Sequence, residues 1–259
     1  RVDGRELLAE GAALRPQFWR APTENDLGAG LDARFGVWKS PVLKLTQFDA
    51  VTEEGVAVVT ARYEMPQVKG VLTMTYRING AGEVSVAEQL EAGDAEAPGM
   101  FRFGMTMAMP ARYSEIVYYG RGAHENYCDR LSSADLGLYS QKVADQYHDE
   151  YVRPQESGTK SDLRWWSVID SSGSGLVILS EAPFSASALP YATEALDVTN
   201  FPPQQHSGPL RSGDRTYVNF DLRQMGLGCI NSWGELPEDQ YMIPYGDYTF
   251  RFLLRPTVK

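Results

Sequence analysis

Apolar and polar side chains alternate with a period of two along most of this chain, and no segment keeps helical spacing for three turns. That pattern admits strands with one buried face and excludes a helical bundle. Leu72, Met74, Tyr76 and Ile78 alternate with Thr73, Thr75 and Arg77, and Phe101, Phe103, Met105, Met107 and Met109 alternate with smaller or polar neighbours. Val218, Phe220 and Leu222 repeat the pattern around Asn219 and Asp221, as do Tyr248, Phe250, Phe252 and Leu254 in the tail. "GLVILSE" (175–181) is a continuous apolar run after the turn "DSSGSG", the mark of a central strand buried on both faces. Aromatic residues make up 11% of the chain and suit such sheets.

Between the strands lie turn-rich stretches, "EAGDAEAPG" and "NFPPQQHSGPLRSGD" among them, and a polar, aromatic region over 120–165 that lacks a period and is expected to be loop. No repeat, low-complexity tract or linker divides the 259 residues, so one domain is expected over 1–259, a large antiparallel β-sandwich. The opening "RVDGRELLAEG" has neither an initiator Met nor a signal-peptide pattern and reads as the start of a segment from a longer protein.

The function classes narrow by charge and chemistry. With 24 Lys+Arg against 34 Asp+Glu, the net charge of −10 opposes phosphate backbones, and no basic patch offsets it, so no nucleic-acid partner is expected. No apolar run is long enough to span a bilayer. Cys128 and Cys229 form neither a metal-ligand spacing nor a disulfide framework, and they leave the compartment, cytoplasmic or periplasmic, open. His124, His148 and His206 are too scattered for a metal site, and no GxSxG-type nucleophile accompanies them.

Four polar motifs stand out. "QFWRAPTENDLGAG" surrounds Pro22 with Arg20, Glu24, Asn25 and Asp26; it reads first as turn chemistry and second as a cleft lining with Arg20 as a donor fork. "GRGAHENYCDR" packs Glu125, Asn126, Asp129 and Arg130 into six positions, an active site or a knot that shapes a loop. "YVRPQESG" offers Arg153 and Glu156, a pair able to bind a ligand or to tie the loop to the core. "GLGCINSWGELP" puts Trp233 on a Gly-bounded tip, where its flat face and single N–H suit a sugar ring. Glycoside hydrolysis needs two carboxyl groups. Glu24 with Asp26, Glu125 with Asp129 and Glu238 with Asp239 are adjacent acids, but adjacency in an acidic chain is ordinarily a solvated face, and no catalytic residue is assigned.

In this order and spacing the four motifs resemble the C-terminal small-chain domain of the large bacterial β-galactosidases of glycoside hydrolase family 2, over nearly the whole chain. This sequence departs from the family at Glu24, where Asp is expected, at Ala123, often Pro, and at Ser157, commonly Asn. The resemblance implies an all-β, antiparallel β-supersandwich of the galactose-mutarotase-like type. It implies retaining hydrolysis of terminal β-D-galactosides by two glutamates on a preceding (β/α)8 barrel, with metal ions bound outside this segment and no cofactor within it. Partners would be the barrel and β-sandwich domains of the same chain and a galactoside, in a homo-oligomeric parent. Trp233 matches the residue that stacks on the sugar, and the resemblance gives "HENYCDR" no catalytic acid, which leaves Glu125, Asn126, Asp129 and Arg130 as a hydrogen-bonded loop knot. Two other readings stay open: an aldose mutarotase or epimerase needing only a general acid and base, and a non-catalytic carbohydrate-binding module that uses Arg20, Asn25, Asp26, Arg153 and Glu156.

Overall fold

A computed structural model of the chain describes residues 2, 4–93, 96–197, 206–208, 210–231 and 233–258. Residues 200–205 and 209 of "NFPPQQHSGPLRSGD", two residues of "EAGDAEAPG" and Ser232 of the Trp233 tip lie outside the described residues. Twelve strands are described: β1 (Arg15–Gln17), β2 (Lys44–Glu53), β3 (Val56–Met65), β4 (Gly70–Ile78), β5 (Val84–Glu91), β6 (Arg102–Pro110), β7 (Glu115–Gly122), β8 (Asp135–Lys142), β9 (Lys160–Ile169), β10 (Gly175–Leu189), β11 (Arg215–Gln224) and β12 (Tyr248–Thr257). The α-helices among the described residues are short: α1 (Glu24–Gly28), α2 (Leu31–Arg34) and α3 (Thr193–Leu196).

Every strand pairing is antiparallel. The expected buried central strand is β10, which at 15 residues runs past the apolar run that announces it. Its first half pairs with β9 and β12, and after a register shift between Leu179 and Phe184 its second half pairs with β9 and β11. This one strand therefore joins two layers. The larger is β2-β3-β4-β5-β12-β10-β9-β7-β8, and the smaller is β1-β6-β11-β10.

The core lies between the layers, as the alternation requires. Phe250, Phe252 and Leu254 of β12 are buried, whereas Arg251, Leu253 and Arg255 are not. Phe220 of β11 meets Phe250 and Phe252 at ring-centroid distances of 6.2 and 5.0 Å. Phe103 of β6 meets Tyr248 at 5.2 Å. These aromatic pairs add about 0.5–1.5 kcal/mol each beyond the area they bury.

The expectation of loop over 120–165 needs correction. β8 and the first residues of β9 lie within it. β8 pairs on one side only, with β7; its Leu136 and Leu138 are exposed, so the one-sided burial that produces a legible alternation is missing. The peptide bond Gly122–Ala123 is cis, at the position where the family resembled often carries proline.

Candidate functional site

The site is built from loops at the ends of β1, β6, β7, β9 and β11. After β1 the chain enters "FWRAPTENDLG", where Thr23 caps α1: its hydroxyl accepts from the Asp26 N–H, and Asp26 Oδ2 accepts from the Thr23 N–H at 2.8 Å, a reciprocal capping box. Arg20 completes this turn. Its Nε and Nη2 donate to Asp26 Oδ2 and Oδ1 at 3.0 and 2.7 Å, Nη1 donates to the Met225 carbonyl at 2.6 Å, and Nη2 also reaches the Gly226 carbonyl at 2.9 Å. The guanidinium stacks 4.8 Å from the Phe101 ring centroid. Burial pulls the Arg20 pKa down, but the Asp26 charge and hydrogen bonds outweigh it, and the net shift is upward.

Arg20 and Asp26 were expected as possible cleft-lining residues, and the structure corrects this: both are wholly buried. A buried guanidinium needs a carboxylate and satisfied N–H groups, and it has both. Glu156 is likewise buried. It accepts from Arg102 Nη2 at 3.1 Å and from Tyr127 and Thr159 hydroxyls at 3.4 and 2.9 Å. Burial, then the Glu125 and Glu156 charges, hold the Tyr127 phenol protonated well above its ordinary range. Arg153 bonds to Glu24, and Asn25, exposed on α1, donates its side-chain N–H to the Leu227 carbonyl at 3.0 Å.

"HENYCDR" is three attachments rather than one cluster. Glu125 accepts from Arg130, from the Tyr151 hydroxyl at 2.7 Å and from the Gly158 N–H at 2.7 Å. Asn126 donates to the Arg121 and His124 carbonyls at 3.1 Å and accepts from the Ser161 N–H and hydroxyl. Asp129 turns away from Arg130 and accepts from the Gly228 N–H at 2.7 Å.

These contacts fix what the acids can do. His148 Nε2 lies 3.9 Å from Glu125 Oε2, the one His–carboxylate pair within 4 Å among the described residues. Glu125 already accepts from three donors, which occupy both of its oxygens. Glu24 faces Arg153 and Asp26 faces Arg20, so neither offers a free carboxyl for acid–base work. Trp233 is the contrast: it is 91% exposed, with its backbone N–H donating to Asn231 Oδ1 at 2.8 Å.

Several buried polar groups have no motif to announce them. Lys160 donates to Gln146 Oε1 at 2.7 Å, and burial lowers its pKa to about 8. Glu88 is buried with no hydrogen-bond partner on either oxygen. Its signal is legible in hindsight: on β5, Val84, Val86, Glu88 and Leu90 share one face, and Glu88 is the polar member at a core position.

Residues 1–254 match the family described as the β-galactosidase small chain. The chain belongs to that family. The β-galactosidase of Priestia megaterium is 32% identical over 97% of this chain and 24% of its own length, and that of Streptococcus thermophilus is 31% identical over 99% and 25%. This small-chain domain thus spans about a quarter of the length of the curated relatives it matches. Among solved structures it is similar to the galactose 1-epimerase of Lactobacillus acidophilus NCFM, at TM-score 0.44 and 9% identity over 83% of this chain and 66% of that one. It is also similar to the GH36 α-galactosidase AgaA of Geobacillus stearothermophilus, at TM-score 0.43 and 7% identity over 85% and 28%.

Proposed function

We propose that this small-chain domain serves a retaining β-galactosidase of glycoside hydrolase family 2, in which the reacting carboxylates lie elsewhere in the parent and this domain supplies one wall of the galactose pocket. The observation that carries the reading is Trp233, a fully presented aromatic face on a loop whose base is held by buried polar groups. A ring of that kind covers the apolar face of a pyranose and excludes water beside it. Asp26, Glu125 and Glu24 are engaged with Arg20, Arg130 and Arg153, which favours a supporting rather than a reacting role for this domain.

In the full-length enzyme, Trp233→Ala is expected to raise KM for an aryl β-galactoside on the order of tenfold, about 1.4 kcal/mol. The melting transition should shift by no more than about 0.5 kcal/mol, the range for an exposed side chain. An unchanged KM would sink the assignment. The 259-residue chain alone should hydrolyse no aryl β-galactoside, and turnover that survives repurification would show that a reacting pair lies within it.

A further inference from the structure

We infer that Asn25 and Asp129, with Arg20 behind them, are positioning residues for Trp233. This rests on the reading of Trp233 given above. As the chain leaves β11 it stops pairing as a strand, yet its backbone groups from Met225 to Gly228 are taken up by side chains and loops distant in sequence. The Met225 N–H donates to the Phe101 carbonyl at 2.8 Å and the Gly226 N–H to the Tyr241 carbonyl at 3.0 Å. The carbonyls of Met225 and Gly226 go to Arg20, that of Leu227 to Asn25, and the Gly228 N–H to Asp129. Cys229 Sγ then lies 3.7 Å from the Asn25 carbonyl.

The far side of the tip is seated on the same helix. Gly234 has φ +89, and a β-carbon there would stand 3.0 Å from the Gly28 carbonyl at the end of α1. On the near side, a β-carbon at Gly226 would fall 2.7 Å from the Asp129 carboxylate, so only glycine lets the two approach. The near foot of the Trp233 tip therefore stands on Asn25 and Asp129, and the far foot beside Gly28 at the end of α1. Asp129 Oδ1 is buried without a hydrogen-bond partner. A polar group held in that way is retained here by what its other oxygen holds, the Gly228 N–H.

The consequence is preorganisation: the flanks that carry Trp233 are fixed when the domain folds, so binding a sugar does not have to fix them. Removing a foot should cost substrate binding through Trp233 and leave the chemical step alone, a rise in KM at near-constant kcat. Asp129→Asn keeps an acceptor for the Gly228 N–H, whereas Asp129→Ala does not.

The test uses the full-length enzyme labelled with 5-fluorotryptophan, with the Trp233 resonance assigned by its loss in Trp233→Phe. Asp129→Ala and Asn25→Ala are expected to shift and broaden that resonance and to raise KM about five- to tenfold, with kcat within twofold. Asp129→Asn should restore both. In the Trp233→Ala background, Asp129→Ala should change KM less than twofold, since the residue it positions is gone. An unaltered Trp233 resonance in both alanine variants, or multiplicative effects of Asp129→Ala and Trp233→Ala on KM, would overturn the inference. If instead the resonance moves while Trp233→Ala leaves KM unchanged, the positioning stands and the substrate role of Trp233 falls.

Discussion

Arg20 and Glu88 show two fates of a buried charge. Arg20 has a carboxylate and two carbonyls as partners; Arg20→Ala would strand Asp26 and both carbonyls and is expected to cost about 3–5 kcal/mol, read from the urea midpoint. Arg20→Lys should recover only part of this, because an ammonium cannot reproduce the fork. Glu88 has no partner, and burial, then the Asp221 charge, raise its pKa well above the carboxylate range. Its folded form holds a proton that the unfolded chain releases, so its contribution is present at acid pH and lost as pH rises. Glu88→Gln should accordingly be more stable than the parent at pH 8, by a margin that shrinks toward pH 4; equal margins at both would show that Glu88 does not titrate with folding. The sequence shows Glu88 on an apolar face, but it cannot show that the opposite layer brings no donor. The same limit applies to Arg20, whose fork reads alike on a cleft wall and in a core until its partners, 205 and 206 residues away, are known.

At the scale of elements, strands differ in how much core they carry. β2 is exposed along its whole length, including Leu45, Phe48 and Val51, and it ends the larger layer. A register shift between Leu45 and Gln47 bulges it, and the Thr46 hydroxyl donates to the Arg62 carbonyl. Such a bulge blunts an edge against pairing with other strands. Phe48, 61% exposed, adds little to folding, and Phe48→Lys should change stability by no more than about 0.5 kcal/mol in thermal or urea unfolding. A loss of several kcal/mol would mean that β2 is packed in solution. β10 is the opposite case: its two halves serve different neighbours, and a helix-free apolar run in the sequence marks only the first half. β8 escapes sequence reading because alternation reports composition, and exposure is decided by what lies opposite.

For the whole molecule, the buried ionisable groups set how stability follows pH. Burial raises Asp221 from 3.8 to about 7, with Arg102 opposing and Glu156 adding to the rise. The folded state therefore binds more protons than the unfolded chain between those values, and this contribution to stability is lost as pH rises through about 7. Lys160 works in the other direction: lowered from 10.5 to about 8 by burial, its contribution is present above 10.5 and is lost as pH falls through about 8. Calorimetry should show a melting temperature that declines from about pH 4 to 7, and Asp221→Asn should flatten that decline whatever it does to the absolute value. A parallel curve in the variant would remove Asp221 from the account. Lys160→Met should likewise flatten the segment between about pH 8 and 10.

The sequence by itself determined that the chain is built mainly of β-strands, where β4, β6, β10, β11 and β12 run, and, through four ordered motifs, that it resembles the small-chain family. Each of those is local: a period of two or a Gly-bounded tip is written within a few residues and survives any arrangement of the rest. Only the tertiary structure decided that β10 belongs to both layers, that Arg20 and Asp26 are interior, and that "TENDLG", "HENYCDR" and "GLGCINSWG" meet at one loop base. Those facts depend on which strand ends are brought together when two layers close over a core. That closure joins Asp129 to Gly228 across 99 residues, and no periodicity in the intervening chain encodes it.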